Sequence, residues 1–316
     1  MRRPLNPRRL STLLLFVCGS GILCAQNQPP SAPCSLSVSP GRIYSLNLTP
    51  YVPAPGSVAG LLLETRINGG PPVHLLLDSG AARIALDAHA AARSVVVAPA
   101  QSHLVGMGES PAVSAHTGVV STVDAGPLQY RDCQVDVAPS RLAGGIDGVI
   151  PISLFAGFLV RLDLPGKALD LTPYPEPGPV PLGFEPATLR DGLLFLRGAM
   201  NGAPPGNILL DTGACYSAVS RRTARFLSSS LLAPADLRGP NGPVDGGFLE
   251  GSVRFQVAGR SLTGEPVVAL DLAAFNAING LETDGVIGYP ALRYSVLTLD
   301  YRDSLVRIDG PAAHPR

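Results

Sequence analysis

The sequence contains LLLDSGA at residues 75–81 and ILLDTGA at residues 208–214, two nearly identical stretches 133 positions apart. In each, three apolar residues lead into an aspartate, a hydroxyl residue and a glycine. The apolar residues indicate a buried strand, and the polar triplet indicates a tight loop at its end. A single triplet of this kind is typical of an ordinary turn. Two such triplets in a repeated context indicate a pair of carboxyl groups that act together.

The repeat extends beyond these stretches. An Asn-Gly turn followed by two prolines precedes each aspartate by the same distance, and Asp-Gly-Val-Ile follows each at a similar one. The matching segments are residues 68–72 and 201–205, 147–150 and 284–287, and the strands that end at Asp163 and Asp300. We read the aspartates of Asp-Gly-Val-Ile, and Asp163 and Asp300, as structural turn residues. The chain is therefore an internal duplication of about 42–174 and 178–310.

This duplication predicts the organisation of the chain. A signal peptide is expected at 1–25, an N-terminal linker at 26–41, a first lobe at 42–174, a Pro-rich linker running into the second lobe at 175–189, a second lobe at 190–310 and a tail at 311–316.

Composition narrows the class of protein. The 316 residues carry a formal net charge of +0, and the basic residues are scattered outside the extreme N-terminus, which argues against a nucleic-acid partner. With 46% hydrophobic residues the chain is not disordered, so the 35 glycines and 32 prolines are interpreted as turn and loop residues between short strands. A mainly β fold is expected.

The N-terminus reads as a targeting segment. Four arginines precede an apolar stretch at Leu10–Leu23, and Ala25 offers a cleavage point. We expect an exported protein, periplasmic or secreted. Membrane anchoring through this segment is the minor alternative, because the stretch is short for a spanning helix of about 20 residues.

Cysteine and histidine give no ligand set. Without the leader, Cys34, Cys133 and Cys215 remain, so at least one is free or paired outside the chain. For Cys215 a small buried residue is favoured over a reactive thiol. The histidines lack metal-ligand spacing, so neither a metal nor a cofactor is expected.

Strands follow from the pattern. Leu61–Ile67 and Leu193–Met200 are each closed by an Asn-Gly turn, and the chain resumes in the apolar strands that lead to Asp78 and Asp211. After each aspartate, a short strand continuing into a helix is predicted, and each repeat ends in a hairpin.

These residues resemble the retropepsin-like and pepsin-like aspartic peptidases, in particular exported bacterial proteins with two tandem retropepsin-type lobes. The resemblance implies a two-lobed acid-protease β-barrel fold from the internal duplication, with a catalytic dyad formed by Asp78 and Asp211. It also implies that Ser79 and Thr212 hydrogen-bond across to the opposite loop, while Gly80 and Gly213 let the backbones approach.

The second half of the family signature, two apolar residues and a glycine, is present as Val286-Ile287-Gly288. In the first repeat it reads Val149-Ile150-Pro151. Proline lacks an N–H and obstructs close approach, so an impaired first site is one interpretation, and tolerance at a strand edge is the other.

The expected function is an aspartic endopeptidase that acts on polypeptide substrates as a monomer, a pseudo-dimer of its lobes. One carboxyl is ionised and activates water while the other holds a proton. The alternative is a non-catalytic peptide-binding relative, and a further one is catalysis with each lobe dimerising with another chain. Glycine-rich segments around Gly106, Gly108 and Gly242 are candidate flaps over the cleft, with plain surface turns as the other interpretation.

Overall fold

The computed structural model describes residues 34–36, 41–54, 56–104, 114–139, 142, 145–227 and 246–310, and the backbone alone of 13–14, 113, 231–234, 237–239 and 242–244. Among these residues, no helix is long and apolar enough to cross a membrane. Within the same ranges, no group of three or more His, Cys, Asp or Glu side chains is arranged to hold a metal ion.

Strands dominate the first half of the chain. They are β1 Leu13–Leu14, β2 Ser35–Leu36, β3 Tyr44–Asn47, β4 Thr49–Tyr51, β5 Gly60–Ile67, β6 Pro72–Asp78, β7 Ile84–Leu86, β8 Ala100–Leu104, β9 Val113–Ala125, β10 Leu128–Val137, β11 Gly148–Pro151, β12 Leu159–Asp163 and β13 Ala168–Thr172. One α-helix, α1 at Ala88–Arg93, and a 3-10 helix at Ile152–Phe155 complete the described elements of this half.

The second half repeats the order. Its strands are β14 Glu185–Arg190, β15 Leu193–Met200, β16 Gly206–Leu210, β17 Ser217–Ser220, β18 Leu231–Pro234, β19 Leu237–Gly239, β20 Gly242–Val244, β21 Gly246–Leu249, β22 Val253–Val257, β23 Arg260–Gly264, β24 Val267–Leu270, β25 Gly285–Ile287, β26 Val296–Asp300 and β27 Leu305–Asp309. The described helices are α2 Arg221–Ala224, α3 Ala273–Asn279 and α4 Tyr289–Leu292.

The two predicted hairpins are confirmed. Strands β5 and β6 pair antiparallel, as do β15 and β16. Their turns place Asn68 and Asn201 at φ 52° and 41°, with a glycine at positive φ after each. Asn-Gly accepts this left-handed backbone at low cost, which explains why both repeats carry it.

Each of the strands β6 and β16 is buried on both faces, which accounts for their unbroken apolar sequence. Leu75 and Leu77 lie in the large core cluster, whereas Leu76 between them lies in a smaller cluster on the other face. Leu209 is separated in the same way from its two neighbours. Strand β11 pairs parallel with β6, and β25 with β16, so each aspartate strand is held from both sides.

The two lobes share one hydrogen-bonded sheet. Six strands run in the order β3-β13-β12-β26-β27-β14, and the lobes meet where β12 pairs antiparallel with β26, from Val160 opposite Leu299 to Asp163 opposite Val296. The predicted closing hairpins β12–β13 and β26–β27 are confirmed in this sheet. Asp163 and Asp300 accept backbone N–H bonds in their turns at 2.8 and 2.9 Å, as their structural assignment requires.

Regular structure in the second lobe begins earlier than the sequence division suggests. Strand β14 starts at Glu185, within the segment 175–189 assigned to the linker. The N–H of Ala187 donates to Ser304 O at 2.8 Å, as Leu48 N–H donates to Lys167 O at 2.9 Å in the first lobe. Strand β14 is therefore the counterpart of β3 and β4.

One disulfide joins Cys34 to Cys133 across 99 positions of sequence. It attaches the N-terminal segment to β10, beside the pairing of β2 with β10. Cys215 is buried and lies outside this bridge, in agreement with the small buried role favoured for it.

Reduction of this disulfide should destabilise the protein. Cross-linking a loop of this length is worth at most about 4–5 kcal/mol through the entropy of the unfolded chain. We expect dithiothreitol to lower the Tm of the wild type, and Cys34→Ser to lower it as much without reductant. Cys215→Ser should leave the effect of dithiothreitol in place. A reductant effect that disappears in Cys215→Ser would contradict this pairing.

Candidate active site

The two repeated loops meet at the interface between the lobes. Asp78 is the last residue of β6, and Asp211 follows β16 directly. Both side chains have an exposed fraction of 0%. The duplicated strands thus bring together two carboxyl groups that are far apart in the sequence and remove both from bulk water.

The hydroxyl residues hold the loops to each other. Ser79 Oγ donates to Leu210 O at 2.8 Å, and Thr212 Oγ1 donates to Leu77 O at 2.9 Å. Each hydroxyl also accepts the opposite backbone N–H, from Thr212 at 3.0 Å and from Ser79 at 3.1 Å. These four reciprocal bonds are buried, so they fix the relative position of the two loops.

Each glycine of the triplets packs against the opposite carboxyl. A Cβ on Gly80 would lie 2.5 Å from Cγ of Asp211, and a Cβ on Gly213 would collide with the carboxyl of Asp78. Both glycines also donate their N–H to the aspartate of their own loop, at 2.6 Å to Asp78 and 2.9 Å to Asp211. Glycine is required here because the loops approach too closely for any side chain.

Burial is the largest influence on both carboxyl groups. It raises the pKa of Asp78 to about 7, against the lowering effect of the Gly80 N–H and of a hydrogen bond from Asp211. It raises the pKa of Asp211 well above its ordinary value, with the charge of Asp78 and the hydrogen bond to Asp78 adding to the rise.

Two coupled carboxyls in this buried setting retain one proton between them rather than both ionising. No other described group donates to Oδ2 of either residue.

Pro151 is compatible with the first site. It lies opposite Asp78 in the β6–β11 pairing with φ −70°, a value that the proline ring favours. In the second lobe, Gly288 N–H donates to Ser217 Oγ at 3.1 Å. The first-lobe counterpart of Ser217 is Ile84, which offers no side-chain acceptor, so the proline loses no equivalent bond.

We accordingly expect Pro151→Gly to leave cleavage activity unchanged and to lower the stability by about 0.5–1 kcal/mol, because glycine increases the entropy of the unfolded chain. Thermal unfolding and a peptide assay on one preparation check this. Higher activity in the variant would show that Pro151 does strain the loop.

The paired aspartates of Asp-Gly-Val-Ile have a structural role. Asp147 accepts the N–H of His74 at 2.9 Å and pairs with Arg93 at 2.5 Å, and Asp284 accepts the N–H of Asn207 at 2.9 Å and pairs with Arg222 at 2.6 Å. Each carboxylate thus joins an aspartate strand to the following helix. Sequence reasoning missed the arginine partners, because Arg93 is the last residue of α1 whereas Arg222 lies in the first turn of α2.

The structure describes only one of the three glycines predicted to belong to flaps. Gly106 and Gly108 lie outside the described residues, although β8 and β9 pair up to Leu104 opposite Val113 on either side of them. Gly242 is in the short strand β20, opposite Gly239 of β19.

A closed mainly β fold in two duplicated lobes, with two buried carboxyls held face to face, defines the acid-protease class. In agreement, a family model described as "Aspartyl protease" matches residues 63–154 and 196–291, more than half of the chain. The chain belongs to the aspartyl protease family.

Comparison with solved structures supports the fold. A crystal structure of aspartic proteinase from Irpex lacteus has a TM-score of 0.55 and 12% sequence identity, and the match covers 86% of this chain and 98% of that chain. No curated protein matches the sequence. The predicted two-lobed acid-protease fold is confirmed.

Proposed function

We propose that the protein is an aspartic endopeptidase that hydrolyses peptide bonds with water activated by Asp78 and Asp211. One observation carries the proposal: the duplicated loops hold two buried carboxyls so close that each packs against the opposite glycine. Two carboxyls at this separation in a site without bulk water share one proton, the arrangement that acid–base hydrolysis of an amide requires.

In this mechanism, the ionised carboxyl of the pair takes a proton from water as the oxygen attacks the scissile carbonyl. The protonated carboxyl donates its proton to the carbonyl oxygen. As the C–N bond breaks, the first carboxyl passes the proton taken from water to the amine nitrogen, and a hydroxyl of the intermediate returns a proton to the second carboxyl, which restores the pair. The bonds from Ser79 and Thr212 keep both carboxyls in place while the charge moves.

Two features support an exported monomer. The Cys34–Cys133 disulfide is of the kind that persists in oxidising compartments. The six-stranded sheet shared by the lobes supplies within one chain the interface that a single-lobe enzyme forms by dimerisation. The solution mass of the purified protein tests the monomer.

The rival function is a non-catalytic peptide-binding relative. The departure at Pro151 was the reason for considering it, and the backbone there suits proline. The reciprocal hydrogen bonds and both close-packed glycines are also present, so no contact of the described loops favours the rival.

The pH profile of cleavage tests the proposal. Because burial raises both pKa values, the singly protonated dyad persists to higher pH than ordinary carboxyls would allow. We expect a bell-shaped profile for cleavage of an unfolded protein, with its maximum above the range of about pH 3–5 in which ordinary carboxyls titrate. A maximum within or below that range would contradict the raised pKa values, and no cleavage at any pH would favour the rival.

A further inference from the structure

Outside the active site, the second lobe contains a groove of about 450 Å³. It lies between the start of β14, the middle of β15 and the hairpin β22–β23. Its lining residues are Glu185, Pro186, Leu196, Arg197, Gln256 and, around the hairpin tip, residues 257–261. None of them belongs to the loops that carry Asp78 and Asp211, so the mechanism does not use this groove.

The internal duplication shows what the groove replaces. In the repeat, Leu46 corresponds to Glu185 and Leu128 corresponds to Arg260. The first correspondence follows from the equivalent bonds that Leu48 and Ala187 donate to the shared sheet. The second follows because hairpin β9–β10 pairs with β5 as hairpin β22–β23 pairs with β15. In the first lobe both positions are apolar, with exposed fractions of 4% and 0%. A corner sealed by leucines in one lobe is therefore open and charged in the other.

The hairpin tips differ in the same way. Gly126 at the tip of β9–β10 lies against Leu46, where an added Cβ would be 2.5 Å from the leucine. Its counterpart in the second lobe is Ala258, which lines the groove. The first-lobe tip thus packs down onto β3, and the second-lobe tip leaves space above β14.

Two arginines without an acidic partner among the described residues line the groove. Arg197 and Arg260 are exposed, and neither forms an ion pair with any residue that the structure describes. Glu185, the one acidic lining residue, is also exposed and lies in no ion pair with a described residue. Guanidinium groups present paired donors that match the two oxygens of a carboxylate.

The pairing of β15 is interrupted beside Arg197. On the groove side, strand β14 pairs up to Leu196 and β22 begins at Ala199, and Gly198 packs against the carbonyl of Gln256. This gap is too short to add a strand, so the two arginines select the occupant. Two guanidinium groups along one groove favour a segment with several carboxylates, an acidic peptide, over a single compact ion.

We propose that this groove is a binding site for an acidic peptide segment, with Arg197 and Arg260 bound to its carboxylates. The site is separate from the dyad and does not depend on catalysis. In a peptidase it would serve as a secondary contact for acidic substrates or partners.

A binding experiment tests the proposal directly. The full chain carrying Asp211→Asn, which prevents cleavage, is titrated with a fluorescent tetraglutamate peptide at low salt, with a tetraglutamine peptide as the neutral control. We expect saturable binding of the first alone, weakening as salt rises. Arg197→Gln and Arg260→Gln should each weaken it by about three- to tenfold, the range for charge-assisted contacts near a surface.

A matched variant should change peptide binding in the opposite direction. Glu185→Gln removes the one negative charge of the groove and should strengthen binding, whereas Arg254→Gln, on β22 outside the lining, should leave it unchanged. Equal binding of both peptides, or unchanged binding in both arginine variants, would overturn the proposal. So would inorganic phosphate displacing the peptide at concentrations similar to the peptide's own Kd, because it would assign a simple anion site.

Discussion

Replacing either dyad carboxyl, as in Asp78→Asn or Asp211→Asn, should reduce cleavage by about 10²–10⁴-fold, the contribution typical of acid–base groups. Each variant leaves one ionisable carboxyl, so no proton can be shared across the interface. The expected loss is in kcat rather than in KM, since the asparagine occupies nearly the same space. Steady-state kinetics on a peptide substrate measures it.

The same variants should not unfold the protein, and at high pH they should stabilise it. Burial raises the pKa of Asp211 above the ordinary 3.8, so the folded state binds this proton more tightly than the unfolded state. The resulting stability is complete below about pH 4 and is lost as pH rises through the folded pKa. Asparagine never ionises, so the Tm of Asp211→Asn should exceed that of the wild type at pH 8 and approach it at pH 4.

A matched control is Asp191→Asn, the same change at an exposed position with φ 48°, where asparagine is well tolerated. It should alter neither activity nor the pH dependence of Tm. Substantial activity in either dyad variant would overturn the two-carboxylate mechanism. A Tm for Asp211→Asn that falls below the wild type at pH 8 would contradict the burial argument.

A single methyl group added at Gly80 should reduce activity by displacing the carboxyl of Asp211 in the opposite loop. In Gly80→Ala, the new Cβ would lie 2.5 Å from Cγ and Oδ2 of Asp211, so the carboxyl must move. Displacement of a catalytic group by about 1 Å costs on the order of 10²-fold in rate. Overpacking of the interface should also lower the stability by about 1–3 kcal/mol.

Gly157→Ala is the control for this change. Gly157 is exposed, an added Cβ there meets no atom within 4 Å, and its φ is not positive. It should leave kcat unchanged and the Tm equal or slightly higher. Gly80→Ala with kcat near the wild-type value would show that the loops do not approach as closely as described.

Local patterns in the sequence predicted much of the fold. The Asn-Gly turns, the alternating closing hairpins and the apolar run before each aspartate depend on backbone preference and burial within one segment, so each could be read without its neighbours. Repetition then gave the two lobes, because equal spacing of such signals identifies equal structures. The candidate dyad, Asp78 and Asp211, followed from the same repetition.

Side-chain partners that are distant in the sequence could not be predicted from local patterns. Arg93 and Arg222 bind equivalent aspartates from non-equivalent helix positions, so the repeat gave no signal for them. Cysteine number alone did not indicate that Cys34 pairs with Cys133, since pairing depends on how β2 approaches β10. Pro151 appeared as a defect until the position of Ile84 showed that no equivalent hydrogen bond was lost.

The sequence by itself determined the duplication, the strands that lead to the loops and the identity of the two carboxyls, since these depend on local residue type and spacing. Tertiary structure alone decided that the carboxyls are fully buried against the opposite glycines, and with that the rise of both pKa values. It also decided that one lobe has a sealed leucine corner where the other has a charged groove. The physical reason is that burial, electrostatic coupling and open space depend on distances between segments remote in the chain, and spacing along the sequence does not contain those distances.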